Sequence, residues 1–298
     1  MVYLAYNLSF SNYKAFYLSS LQLIITIENI MFRVVASDLD GTLLTPEHSL
    51  SPYTKQVLQA LRQKDIHFVF ATGRHHIDVA QMRENMEIDA FMITSNGARV
   101  HDSAGNLVFS QSIKPHLASE LAKECIDDPL VYTHVYRGDN WLINKEDTYS
   151  LSFFRDTDFT YQFFNPLDFA TDDIAKIYYT TSGDEFHPHL VKIKERLDAK
   201  YGDKVSITFS SLNCLEVMAE NVSKGSALKK VVEKLGLELK DSIAFGDGMN
   251  DVEMLSLAGK GCIMENASAD LKQRLPNLEV IGSNVDDAVP HYLSHLFL

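Results

Sequence analysis

From residue 31 onward, short apolar runs alternate with stretches whose apolar residues recur at helical spacing. That alternation is how a parallel sheet with crossover helices reads in sequence. FRVVA (32–36) predicts a first strand, IHFVFA (66–71) a second and AFMIT (90–94) a third. A helix between the first two opens at Ser51-Pro52, a capping residue followed by proline at the first helical position, and carries Val57, Leu58 and Leu61 on one face. The pattern returns later. Ser223 caps a helix carrying Leu228, Val231, Val232 and Leu235, and SIAFG (242–246), GCIM (261–264) and LEVIG (278–282) supply further buried strands.

Between about 114 and 219 the texture changes to alternating polar and apolar positions, in LVYTHVY, WLINK, AKIYYTT, KVSITFS and CLEVMA. Such strands pair antiparallel with one wet face. The turn RGDN (137–140) predicts a hairpin, and HPHLVKIKERLDAKYG (187–202) a helix ending at glycine. The expected organisation is an α/β core made of 31–113 and 220–298, split by an α+β insertion at 114–219. Hinges are expected near 112–116 and 217–223. Residues 1–30, rich in Tyr, Ser and Leu, read as an extension upstream of a domain that opens at Met31.

Composition narrows the function classes. The chain has 298 residues and a net charge of −13, with a pI near 5.2. An acidic surface opposes broad attraction to nucleic acid or anionic lipid, so neither is an expected partner. No apolar span of transmembrane length occurs, which excludes an ion pump. Three widely spaced cysteines suggest neither a disulfide framework nor a zinc site, and point to the cytoplasm. Oligomeric state is left open.

Polar motifs fall just beyond the C-terminal ends of the predicted strands, where open α/β sheets bind ligands: Asp38 and Asp40 after the first, Thr72-Gly73-Arg74 after the second, Asn96-Gly97 after the third, and Gly246 to Asp251 after the strand that follows the insertion. Asp38, Asp40, Asp247 and Asp251 crowded together would repel unless a cation sat among them, and an all-oxygen site suits Mg2+. Mg2+ keeps ligand positions for substrate phosphate, which points to phosphoryl chemistry. One aspartate could attack phosphorus while another moves protons, with Thr72-Gly73 and Lys224 as donors to the transferring group. Arg74, His75 and His76 read as loop polars and His187 and His189 as surface histidines. Tyr132, Tyr136 and Trp141 read as hairpin packing.

Taken together, DLDGTLL (38–44), TGR (72–74), SKG (223–225) and GDGMND (246–251) resemble the four motifs of the haloacid dehalogenase (HAD) phosphatase superfamily, in the order and spacing of its Cof-type branch. The resemblance covers 31–298 and implies a HAD-like Rossmannoid core with a C2-type cap. It implies that Asp38 is nucleophile and metal ligand, and that Asp40 is general acid/base, reaching the metal by its backbone carbonyl. It further implies Asp247 as the remaining carboxylate ligand and Asp251 as a supporting acid, with Leu39, Thr72, Gly73, Lys224 and Asn250 contacting phosphate. The implied enzyme is a Mg2+-dependent phosphatase of small phosphorylated metabolites, pyridoxal 5′-phosphate and sugar phosphates first among them. A phosphomutase with the same nucleophile and a catalytically silent phospho-ligand sensor are the alternatives.

Overall fold

The computed structural model describes residues 32–147 and 158–298; the expectation for residues 1–30 lies outside them. In chain order the first strands are β1 (Val34–Ser37), β2 (His67–Ala71), β3 (Ala90–Thr94), β4 (Arg99–His101) and β5 (Leu107–Ser110). Helices α1 (Pro52–Arg62) and α2 (His76–Met86) cross over between β1, β2 and β3. Then come α3 (Pro115–Leu121), β6 (Tyr132–Arg137), β7 (Asn140–Ile143), β8 (Tyr161–Phe163), β9 (Ile174–Thr180), α4 (His187–Tyr201), β10 (Val205–Ser211) and β11 (Cys214–Ala219). The chain continues with α5 (Lys224–Lys234), β12 (Ser242–Gly246), α6 (Val252–Leu257), β13 (Lys260–Ile263), α7 (Ala269–Arg274), β14 (Glu279–Val280) and α8 (Ala288–Phe297).

Two sheets result. The larger has the order β14-β13-β12-β1-β2-β3-β4-β5, parallel from β14 to β3, with β4 and β5 added antiparallel. Val34 to Ala36 are fully buried, as strands covered on both faces require. Strand β1 lies between β2, which follows it in the chain, and β12, which comes after the insertion. The strand order therefore reverses at β1, and the crevice beyond its carboxyl end is where this class of sheet takes ligands. The neighbouring helices start where the sequence says they should. Ser51 accepts from the Thr54 amide with Pro52 behind it, and Ser223 and Ser226 form a reciprocal cap on α5.

The second sheet, β10-β11-β9-β6-β7-β8, is formed wholly by the segment that separates β5 from α5. Its pairs are antiparallel except β7 with β8, which is parallel. The wet face expected of these strands is absent from β9, buried along its whole length. Alternation explains this. Ile177 and Tyr179 pack into an apolar cluster with Leu117 and Leu121 of α3 and with Leu190, Ile193 and Leu197 of α4. Lys176, Tyr178 and Thr180 point the other way and line a cleft shared with the larger sheet.

Several elements escape the apolar pattern. Helix α2 buries Asp78 beside Val79 and Met82, so a carboxylate interrupts its apolar stripe. Strand β14 is only two exposed residues, against the five expected. Leu235, expected on the buried face of α5, is instead its half-buried C-cap. Among the described residues no helix is long and apolar enough to cross a membrane.

Candidate active site

Strand β1 runs out at Ser37, and the chain turns at once. The Asp38 amide is tied to Phe245 O of β12 at 3.0 Å, while Leu39 and Leu43 are buried. Gly41 makes the turn with a φ of 77°, a left-handed value that favours glycine. A Cβ there would stand 2.5 Å from Asp247 Oδ2. The turn thus brings the two acidic loops together, and the Thr42 hydroxyl donates to Asp247 Oδ1 at 2.7 Å.

Lys224 is fully buried in the first turn of α5. The positive end of a helix disfavours a cation and burial makes it worse. Both costs are met by carboxylates, since Nζ donates to Asp38 Oδ1 at 2.8 Å and to Asp251 Oδ1 at 2.7 Å. The other oxygen of Asp251 accepts from the amides of Asp247 (3.0 Å) and Gly248 (2.9 Å), so the residue caps its own loop and holds the lysine at once.

Carboxylate oxygens of Asp38, Asp247 and Asp251 lie within 4.8 Å of one another. Burial raises the Asp38 carboxyl well above its ordinary value, and neighbouring Asp251 and Asp247 add to this against the pull of Lys224. Burial, then Asp251, push Asp247 up to about 6. One ammonium beside three carboxylates, two of them buried and that of Asp247 half-buried, leaves negative charge uncompensated, and the donors are all oxygen. A hard divalent cation such as Mg2+ fits that set.

Asp40 is oriented differently. Its carboxylate takes two bonds from Arg74, Nε to Oδ2 and Nη2 to Oδ1, each at 2.7 Å, and one from His48 Nδ1 at 2.9 Å. Burial alone would raise this carboxyl, but Arg74 and His48 outweigh it and hold it well below the usual carboxylate range. Arg74 Nη1 also donates to the fully buried Asp78 at 2.9 Å, so the arginine is anchored from α2.

The loops after β2 and β3 complete the edge. Thr72 Oγ1 accepts from the Arg74 amide at 3.1 Å, and the Asn250 side chain donates to Asn96 Oδ1 at 3.1 Å. A cleft of about 230 Å³ is lined by Asp38, Asp40, Thr72, Gly73, Asp247 and Asn250 on one side. The second sheet contributes Tyr136, Lys176, Tyr178, Thr180 and Glu216. Of the residues expected from the sequence, Lys224, Asp251 and Leu39 are buried and do not line the cleft.

Sequence reasoning missed Arg74 and His48, both set aside or passed over, and the pair Lys176 and Glu216. The signal for that pair was a lone charge within each of the apolar strands AKIYYT and CLEVMA. Tyr136 does pack on Trp141 across the hairpin, as expected, but also lines the cleft. His187 and His189 make separate contacts, with Leu212 O and Asp128, and do not chelate together.

Comparison with known proteins decides the family. The family model described as haloacid dehalogenase-like hydrolase matches residues 35–293. The chain belongs to that family. A Haemophilus influenzae protein named "Putative phosphatase" is 46% identical over 273 residues, covering 90% of this chain and 98% of its own. The HMP-PP phosphatase of Cronobacter sakazakii is 38% identical over 265 residues, covering 89% and 96%. Among solved structures, a haloacid dehalogenase-like hydrolase from B. subtilis superposes with a TM-score of 0.79 at 26% identity, covering 89% of this chain and all of that one. This haloacid dehalogenase-like hydrolase is a phosphatase, a phosphoric monoester hydrolase whose fold carries a cap domain.

Proposed function

We propose that the enzyme hydrolyses small phosphorylated metabolites in two steps through an aspartyl-phosphate on Asp38, with Mg2+ held by Asp38, Asp247 and the backbone carbonyl of Asp40. The observation that carries this reading is the buried Asp38 carboxylate, fixed by Lys224 beside Asp247 and Asp251, with Asp38 and Asp247 lining the cleft. Bound Mg2+ would act as a Lewis acid toward the phosphoryl oxygens and offset the carboxylate charge.

The protein's own groups do the rest. The Thr72 hydroxyl, the Gly73 backbone and the Asn250 amide, which line the cleft, hold the phosphoryl oxygens and stabilise the charge that develops on them, and Lys224, buried behind Asp38, adds its positive charge. An Asp38 oxygen attacks phosphorus, and the bond from phosphorus to the leaving oxygen breaks. Asp40, ionised in the free enzyme, passes the proton of a monoanionic ester to that leaving oxygen. It then takes a proton from water, whose oxygen attacks the same phosphorus and frees the Asp38 carboxylate, and gives that proton up to the departing phosphate.

Residues 114–219 serve as a C2-type cap that reads the leaving group, on hinges at 112–116 and 217–223. The run of the chain resembles the pyridoxal phosphate phosphatase YigL, and a relative is an HMP-PP phosphatase, so pyridoxal 5′-phosphate, HMP-PP and sugar phosphates are the first compounds to test. The free cysteines Cys125, Cys214 and Cys262 support a cytoplasmic home. The test is phosphate release from that panel with Mg2+ and with chelator, on wild type and on Asp38→Asn. Metal-dependent release by wild type and none by the folded variant is the expected result. A fully active Asp38→Asn enzyme would overturn the mechanism.

A further inference from the structure

Lys176 on β9 and Glu216 on β11 form an ion pair in which each residue is only 2% exposed. Each partner also reaches across to the larger sheet. Lys176 Nζ donates to Gly73 O at 2.6 Å, and Glu216 Oε2 accepts from Asn96 Nδ2 at 2.7 Å. Asn96 in turn accepts from Asn250 through its Oδ1 at 3.1 Å. The rings of Tyr136 and Tyr178 flank the ammonium, their centroids 4.7 and 4.4 Å from Nζ, which restricts where it can go. Gly73 allows the close approach, because a Cβ there would meet Glu216 Oε1 at 3.1 Å and Asn96 Oδ1 at 3.2 Å.

A buried ion pair is weak evidence for stability, since apolar residues of similar volume often hold a fold as well or better. What apolar residues could not supply is the second bond of each partner. One ends on the loop of Thr72-Gly73 and the other on the side chain that holds Asn250, two places where the phosphate is expected to sit. Resting on the phosphatase reading above, we propose that Lys176 and Glu216 are positioning residues that set the phosphate-binding loops only when the second sheet is docked on the larger one. Phosphate is then gripped in working geometry only under a closed cap.

The test compares wild type, the double variant Lys176→Met/Glu216→Leu and the single variant Glu216→Gln, whose amide oxygen can still accept from Asn96. Thermal melting checks folding. The readouts are kcat and KM on several phosphate esters and the affinity for inorganic phosphate by calorimetry. The double variant should melt at or above the wild-type temperature and lose about 10- to 100-fold in kcat, the scale of a misplaced reacting group. The factor should be the same for every ester hydrolysed, with phosphate binding several-fold weaker; Glu216→Gln should recover part of both. A role confined to the fold would change the amount of folded enzyme and leave the affinity for phosphate untouched. Wild-type kcat and phosphate affinity in the folded double variant would overturn the proposal. So would a loss confined to one ester, which would make the pair a reader of the leaving group. If the double variant does not fold, Glu216→Gln carries the same comparison. If wild type releases phosphate from no ester, it is the phosphatase reading that fails, and phosphate affinity still decides the role of the pair.

Discussion

Arg74 grips Asp40 at two points, Nε to Oδ2 and Nη2 to Oδ1, each at 2.7 Å, while its remaining nitrogen is anchored on the buried carboxylate of Asp78. A planar fork matched to a carboxylate fixes both the direction and the ionisation of its partner, and a lysine can satisfy only one of those demands. Arg74→Lys should therefore keep the positive charge yet lower kcat by about 10- to 100-fold, as expected when a proton-transferring group loses its aim. Steady-state kinetics at saturating Mg2+ measures this. An unchanged kcat would mean that the orientation of Asp40 has no part in the reaction.

Asp247 tests the metal reading from the opposite direction. Three neighbouring carboxylates face one ammonium, which bonds only to Asp38 and Asp251, so removing the negative charge of Asp247 should relieve the site when no cation is present. Asp247→Asn keeps an oxygen for the Thr42 hydroxyl. In chelator the variant should melt at a higher temperature than wild type, and the gain in melting temperature on adding Mg2+ should shrink or vanish. Calorimetric titration should show Mg2+ affinity lower by at least about tenfold. A variant that binds Mg2+ as wild type does would remove Asp247 from the ligand set.

The turn between these loops carries its own prediction. Gly41 combines a φ of 77° with a Cβ position 2.5 Å from Asp247 Oδ2, so Gly41→Ala meets both backbone strain and a collision with that side chain. Stability should fall by about 1–2 kcal/mol, the cost of a side chain in the left-handed region. Activity should fall further than the loss of folded protein explains, because the collision displaces an acid of the site. Chemical denaturation and specific activity of the folded fraction separate the two effects.

These contacts mark how far the sequence could be read. Asp38 and Asp247 were legible because they directly follow β1 and β12, Lys224 because it opens α5 and Asp251 because it precedes α6, and because, with Asp40, four acidic residues at one sheet edge demand a chemical reason. Arg74 was not. Its partner Asp40 lies 34 residues away, and its second partner, Asp78, makes the buried face of α2 look polar. Lys176 and Glu216 were hidden for the same reason, since a charge inside an apolar strand gains meaning only when its partner on another strand is known. The parallel β7–β8 pair also escaped, because alternation reports which faces are buried but not the direction of a neighbour.

His134 gives a dependence on pH whose sign follows from its hydrogen bonds. The indole N–H of Trp141 can only donate, and it donates to His134 Nδ1 at 3.0 Å, so that nitrogen carries no proton. Nε2 then donates to Thr180 Oγ1 at 2.8 Å, and the ring lies stacked on Tyr178, fully buried. Burial, with some help from Lys176, drives its affinity for a proton well below the ordinary 6.5, and Asp147, at 3.9 Å, does not offset this. The folded chain therefore binds this proton less readily than the unfolded chain. Its contribution is fully present above about pH 6.5 and is lost as pH falls below that value, because protonation then favours the unfolded state. His101, pushed down to about 4, adds to the same slope. His134→Gln should cost about 1–3 kcal/mol at pH 8 through a disturbed buried network. Between pH 6.5 and 4.5, however, its denaturation midpoint should decline less steeply than that of wild type. Urea titrations of both proteins across that range make the comparison, and parallel declines would show that His134 takes up its proton without penalty in the folded state.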